Sequence, residues 1–188
     1  MSVNTGIDDQ QLTRLALSAR HGAPADVEAF TRAVYTDVRR FISYLDGTHG
    51  AEDLTQETFV HVLNSLPAFA GRSSARTWLL SIARRVVIDR YRSAARRPVV
   101  SDLADWQRAV ERGQTAASPG WEEGVALTAL LAEVPWERRA PFVLTQILGL
   151  SYAEAAEILG CPIGTIRSRV ARARTQLIGT IRAAEQAI

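Results

Sequence analysis

The 188-residue chain contains no lysine; all 22 of its basic residues are arginine, set against 20 carboxylates. That bias reflects genomic base composition as much as chemistry. A single cysteine, Cys161, excludes an internal disulfide framework, and three scattered histidines, His21, His49 and His61, lack the spacing of a metal site. No apolar run approaches the length needed to span a bilayer, and the polar start, Met1 to Gln11, lacks the basic-then-apolar order of a secretory signal. No membrane insertion is expected, and the expected location is the cytoplasm. Neither a phosphate loop nor a nucleophile constellation is present, so no catalytic activity, metal or other cofactor is expected. Hydrophobic residues make up 47% of the chain, enough for the packed core of one domain or two small ones.

Carboxylates are missing from two particular stretches. Residues 1–57 carry five arginines and nine acids, a net of −4, whereas residues 58–101 carry eight arginines and only Asp89, a net of +7. Residues 102–157 return to −5, and residues 158–188 rise to +4, with no acid between Glu157 and Glu185. Two separated basic blocks imply two separate contacts with a polyanion.

The second basic block sits in a recognisable frame. Ser151 and Glu154 form a capping box, Ala155, Ala156 and Leu159 follow at helical spacing, and Gly160 supplies a residue able to turn left-handed. Pro162 then occupies a tolerated first-turn position of a second helix. That is the outline of a helix-turn-helix. On a wheel, Ile163, Ile166, Val170, Ala173 and Leu177 gather on one side; Thr165, Ser168 and Arg172 point the opposite way, flanked by Arg167 and Arg169. Arginine on such a face can neutralise phosphates or bind guanine edges bidentately. Cys161 reads as a small buried residue of the turn.

Four helices are expected upstream. The first follows Asp8 and Asp9 and ends at His21-Gly22; the second opens at Pro24 and runs to about Leu45, buried through Phe30, Val34, Phe41, Ile42 and Leu45. A third opens near Ala51 with Leu54, Val62, Leu63 and Leu66 available to the core. Its Glu52, Asp53, Gln56 and Glu57 are either a solvated face or a docking face for a basic partner. Loop formers at Pro67, Gly71, Ser73 and Ser74 surround Phe69 and Arg72. The fourth helix, Ala75 to about Arg96, turns Trp78, Leu79, Ile82, Ala83, Val86 and Val87 inward and carries Arg85, Arg92 and Arg96 on another face. Aromatic and arginine side chains beside a loop suit single-stranded nucleic acid, although Trp78 by itself reads more readily as core.

Pro98 to Gly120 reads as a linker in which Leu103, Trp106 and Val110 suggest a short docking helix. Beyond it, helices are expected from Trp121 to about Glu133 and from Pro135 through Leu148, with Trp136 a packing residue.

These segments resemble the bacterial sigma-70-type transcription initiation factors, within them the short extracytoplasmic-function group. Asp53-Leu54-Thr55-Gln56-Glu57-Thr58-Phe59 is similar to that family's polymerase-binding segment, and Arg76 to Arg84 to its promoter-melting, −10-reading helix. Gly160 to Arg169 is similar to its −35-reading helix. The resemblance implies an all-α protein of two small helical domains joined by a flexible linker: residues 1–97 (sigma-2), 98–120 (linker) and 121–188 (sigma-4). It implies that Asp53, Leu54, Gln56 and Glu57 bind core RNA polymerase. It implies that Phe69, Arg72, Ser73 and Ser74, with Arg76, Arg85, Arg92 and Arg96, hold the melted non-template strand of promoter DNA. Thr165, Ser168 and Arg172 then meet base edges of the duplex, and Arg167, Arg169 and Arg174 its phosphates. An anti-sigma partner is expected from the same resemblance, though no residue identifies one. The acids and aromatic of the linker, Asp102, Asp105, Trp106 and Glu111, exceed what a bare tether needs. The competing reading is a stand-alone repressor or activator using the same helix-turn-helix as a dimer on a palindrome.

Overall fold

A computed structural model describes residues 8–47, 50–96 and 121–186, the side chains of 94–96 and 121–125 excepted. Every regular element among them is helical. Four helices come first: α1 (Asp9–Ala19), α2 (Pro24–Asp46), α3 (Ala51–Ser65) and α4 (Ala75–Arg96), with a 3-10 turn at Leu66–Ala68. Four more follow: α5 (Trp121–Ala132), α6 (Trp136–Phe142), α7 (Tyr152–Leu159) and α8 (Ile163–Gln186). The all-α expectation agrees with this order.

In the first half α2 is the central staff. Its Phe30, Val34, Val38, Phe41, Ile42 and Leu45 fall on one helical stripe and are at most 1% exposed, so the helix is gripped by α1, α3 and α4. Pro24 at its first turn needs no partner for an N–H it lacks, and Gly47, at φ 84°, ends it where a β-carbon would strain. The start of α4 is tied to α1. Thr13 Oγ1 accepts from the Ala75 N–H at 3.0 Å while donating to the Asp9 carbonyl at 2.8 Å, so an orphan first-turn donor is satisfied by another helix.

In the second half α7 is closed locally at both ends. Ser151 Oγ accepts from the Glu154 N–H at 3.2 Å, and the Glu154 carboxylate accepts from the Ser151 N–H at 2.8 Å. Gly160 adopts φ 63°, and the Cys161 N–H returns to the Ala156 carbonyl at 3.2 Å. The helix expected from Pro135 to Leu148 is interrupted. Pro141 has no N–H to give, and the backbone widens into a π turn over Val143–Ile147, where the Leu148 N–H reaches the Val143 carbonyl at 2.9 Å.

Where the sequence suggests two modules joined by a tether, the structure packs them together. α4 lies against α7, α2 meets α5 and α6, and one apolar core runs through both halves. The end of α2 is the polar hub of the contact. Its Leu45 carbonyl accepts from the Tyr91 hydroxyl and from Arg139 Nη1, both at 3.0 Å. The Tyr91 ring packs 5.9 Å from that of Trp136. With no basic residue in its own last turn, α2 receives from Arg139, and from Arg90 paired with Asp46 at 3.5 Å, the positive charge its dipole favours. The 98–120 segment, with Leu103, Trp106 and Val110, lies outside the described residues.

Candidate functional site

Three surfaces carry the side chains singled out by the sequence. The first is the outer face of α8, whose inner face is anchored by Ile166, Val170 and Ala173, none more than 2% exposed. Ile163 departs from the expected stripe, being 41% exposed at the helix start, where α8 has not yet closed onto α7. Arg167, Ser168, Arg172 and Arg174 are exposed, Thr165 and Arg169 half-buried. The side chains are not equally free. Ser168 Oγ donates to the Thr165 carbonyl at 3.0 Å, Arg174 Nη2 donates to Gln146 Oε1 at 2.7 Å, and Arg169 Nη1 lies 3.9 Å from Cys161 Sγ. Cys161 is half-buried rather than buried. With no acid on α8 before Glu185, the face stays positive along its outward length.

The second surface is the loop before α4 and that helix's exposed arginines. Gly71, at φ 68°, supplies the left-handed turn of the loop, where Arg72 is exposed and Ser73 half-buried. Three expected contacts have other occupations. Phe69 is 4% exposed and packs 4.8 Å from Trp78, supporting the loop from beneath rather than offering a ring to a base. Ser74 caps α4, its Oγ accepting from the Thr77 N–H at 3.1 Å. Arg76 turns inward, with Nη2 2.9 Å from Asp37 and Nη1 4.0 Å from Asp9, whose carboxyl burial pushes up against the lowering pull of that guanidinium. Further along, Arg85 and Arg92 are exposed, Arg92 resting 3.7 Å from Asp89. Arg84, half-buried, has its pKa lowered by burial and stands within electrostatic range of Cys161, so the two basic surfaces are neighbours here. The side chain of Arg96 lies outside the described residues.

The third surface is α3 with the adjoining edge of α2. Asp53, Gln56 and Glu57 are exposed as expected, but Leu54 is 1% exposed and belongs to the core of this structure. Leu63, expected in the core, is instead 41% exposed, and Val60 is 58% exposed. Gln56, Val60 and Leu63 are spaced for one face of a helix. Tyr35 extends that face from α2, stacking 5.7 Å from Phe59 and donating from its hydroxyl to Glu52 at 3.1 Å. Burial first, and that bond to Glu52 second, raise the Tyr35 pKa. The result is an apolar strip rimmed by acids, the form of a protein-docking surface. Its signal was available in the sequence: at 100° per residue Val60 lies about 160° round the helix from buried Val62.

Among the described residues no group of three His, Cys, Asp or Glu is placed to hold a metal ion, and no helix is long and apolar enough to cross a membrane.

Comparison with known proteins bears on both halves. A family model described as Sigma-70 region 2 matches residues 27–97, and one described as Sigma-70, region 4 matches residues 124–177. The ECF RNA polymerase sigma factor SigC of Mycobacterium tuberculosis is 47% identical over 174 residues, covering 93% of each chain. The ECF RNA polymerase sigma factor EcfG of Rhodopseudomonas palustris is 35% identical over 146 residues, covering 77% of this chain and 79% of its own. Among solved structures, the sigma factor RpoE of Bartonella quintana, in complex with the anti-sigma factor NepR, superposes with a TM-score of 0.65 at 26% identity, covering 84% of this chain and 97% of that one. CnrH, in complex with the cytosolic domain of CnrY, shares the fold with a TM-score of 0.69 at 23% identity, covering 92% of this chain and 98% of that one.

Proposed function

The chain belongs to the extracytoplasmic-function group of sigma-70 RNA polymerase sigma factors, and from that premise we propose a division of labour among its three surfaces. The acid-rimmed strip of α3 and α2 docks core RNA polymerase. The outer face of α8 reads the −35 duplex, with Thr165, Ser168 and Arg172 toward base edges and Arg167, Arg169 and Arg174 toward phosphates. The loop around Arg72 and Ser73, with Arg85 and Arg92 of α4, captures the opened non-template strand at −10. Binding energy to that strand offsets the few kcal/mol of stacking lost when a base is extruded.

One observation carries this reading: Arg72 stands exposed in the loop at the head of α4, while the outer face of α8 has no carboxylate along its reading length. A base can approach the first and a phosphate backbone the second. Phe69, Ser74 and Arg76 act as scaffolding for the loop. The domain division is 1–97, 98–120 and 121–188. Promoter elements lie turns of DNA apart at about 34 Å each, so the packed halves must separate on binding. The 23 residues of 98–120, at roughly 3.3 to 3.6 Å each, reach about 76 to 83 Å and permit it. As RpoE is seen with NepR, an anti-sigma protein is a further partner, and it would compete for these surfaces.

Run-off transcription with purified core polymerase and a randomised promoter library tests the reading. Transcripts from a selected two-element promoter should require both proteins. Failure of the purified chain to bind core polymerase would defeat it.

A further inference from the structure

We infer that the cleft between α6 and α8, walled by Arg138 and Arg172, is a second contact for duplex DNA and takes a backbone phosphate. The inference rests on the reading of α8 as the duplex-binding helix. The cleft measures about 590 Å³ and is lined by Arg138, Ala171, Arg172, Thr175 and Gln176. Arg138 lies in a net-acidic stretch of the chain, so block charge gives no hint of it. Folding carries it out of that stretch and onto the side of α8.

Its guanidinium is held across the cleft by a neutral partner. Arg138 Nη1 lies 3.5 Å from Gln176 Oε1, and Gln176 Nε2 in turn donates to the Glu133 carbonyl at 2.9 Å. Among the described residues, no carboxylate forms a salt bridge with Arg138 or Arg172. The Thr175 hydroxyl donates to the Ala171 carbonyl at 3.2 Å, so it lines the cleft while the Arg138 guanidinium supplies the donors. A guanidinium without a carboxylate partner at the edge of an open cleft matches a phosphate, whose oxygens accept forked N–H bonds.

The position along α8 also fits. Thr175 lies seven residues beyond Ser168, about 10.5 Å along the axis at 1.5 Å per residue. A major groove is about 12 Å wide. A helix with Ser168 and Arg172 at base edges therefore reaches the groove wall, where the phosphates run, at the level of this cleft. Arg138 adds a grip from outside the helix-turn-helix and fixes the angle at which α8 enters.

The test measures binding of the full chain, assembled with core polymerase, to the promoter selected in the transcription assay and to the same fragment with its upstream element scrambled. Arg138→Ala should weaken binding to both fragments by the same factor. It should lower the magnitude of the log–log salt slope by about 0.9, equivalent to roughly five-fold in affinity at 0.15 M salt if the contribution vanishes near 1 M. Arg138→Lys should restore the slope. Thr175→Glu, at an exposed position, should weaken both fragments in the same way, because it places a carboxylate in the cleft where the phosphate would sit. If the wild type binds the selected fragment and all three variants match it in affinity and slope, the inference falls and the α8 reading stands. If Arg138→Ala weakens only assembly with polymerase, the cleft is a protein contact and the inference is overturned. If the wild type prefers neither fragment, the α8 reading itself fails.

Discussion

Replacing Arg76 by alanine gives the sharpest separation between a DNA contact and a structural ion pair. The guanidinium reaches Asp37 at 2.9 Å, and the two side chains are only 20% and 12% exposed. Exposed pairs contribute about 0 to 1 kcal/mol, whereas removing one member of a buried pair costs about 3 to 5 kcal/mol because the other charge stays largely out of water with less compensation. This pair sits near the buried limit, and Asp9, at 4.0 Å from the same guanidinium, loses a weaker partner too. The expected loss is about 3 kcal/mol. For a chain of this size that lowers the melting temperature by about 6 to 12 °C, at roughly 2 to 4 °C per kcal/mol. The Nε of Arg76 is buried without a hydrogen-bond partner among the described residues, so the intact pair already bears part of its desolvation cost. An Arg76→Met, Asp37→Leu double variant should consequently recover part of the loss. Urea unfolding followed by circular dichroism measures all three proteins. A loss below about 1 kcal/mol for Arg76→Ala would refute the buried-pair reasoning. Unchanged stability with abolished transcription would return Arg76 to the DNA.

Other outcomes follow from the same structure. Arg172→Ala should cost about 1 to 3 kcal/mol on the selected promoter and relax base choice at one upstream position; an equal loss on every sequence in the binding assay would make it a phosphate contact instead. Glu57→Arg and Leu63→Ser should each weaken association with core polymerase in a pull-down titration while leaving thermal stability nearly unchanged, since both side chains face outward; unaltered affinity in both would remove α3 from the docking surface. Burial raises the Asp46 pKa above 3.8 against the lowering pull of Arg90, Tyr91 and Arg139. The folded chain then holds that proton more tightly than the unfolded chain, so the site's contribution is full below 3.8 and is lost as pH rises through the raised value. Wild-type stability relative to Asp46→Asn should fall over that window, and a flat difference in stepped-pH urea unfolding would contradict it. Ser151→Ala removes half of the capping box and should cost about 1 kcal/mol, read as faster amide exchange in the first turn of α7.

Much of this architecture is local and therefore readable from spacing. Ser151, Glu154 and Gly160 mark α7 because a cap and a left-handed turn involve only residues within a few positions of each other. The buried stripe of α2 follows in the same way from its 3.6-residue period. Val143–Ile147 shows where local reading fell short: an apolar period persists through it, but just after Pro141 the backbone widens into a π turn. Leu54 and Leu63 show another limit. Both look available to the core, and only the positions of α2 and α4 decide that the first is enclosed and the second left outside.

By itself the sequence determined the all-helical class, the helix-turn-helix with its outward arginines, and the segregation of charge into two basic blocks. Each depends on intervals of a few residues or on composition along the chain. Only the tertiary structure decided which arginines are available: Arg76 is claimed by Asp37, Arg139 by the end of α2, and Arg138 is delivered to the flank of α8. The physical reason is that a charge's availability depends on which distant groups folding brings within a few ångströms of it, and intervals along one helix do not encode that distance.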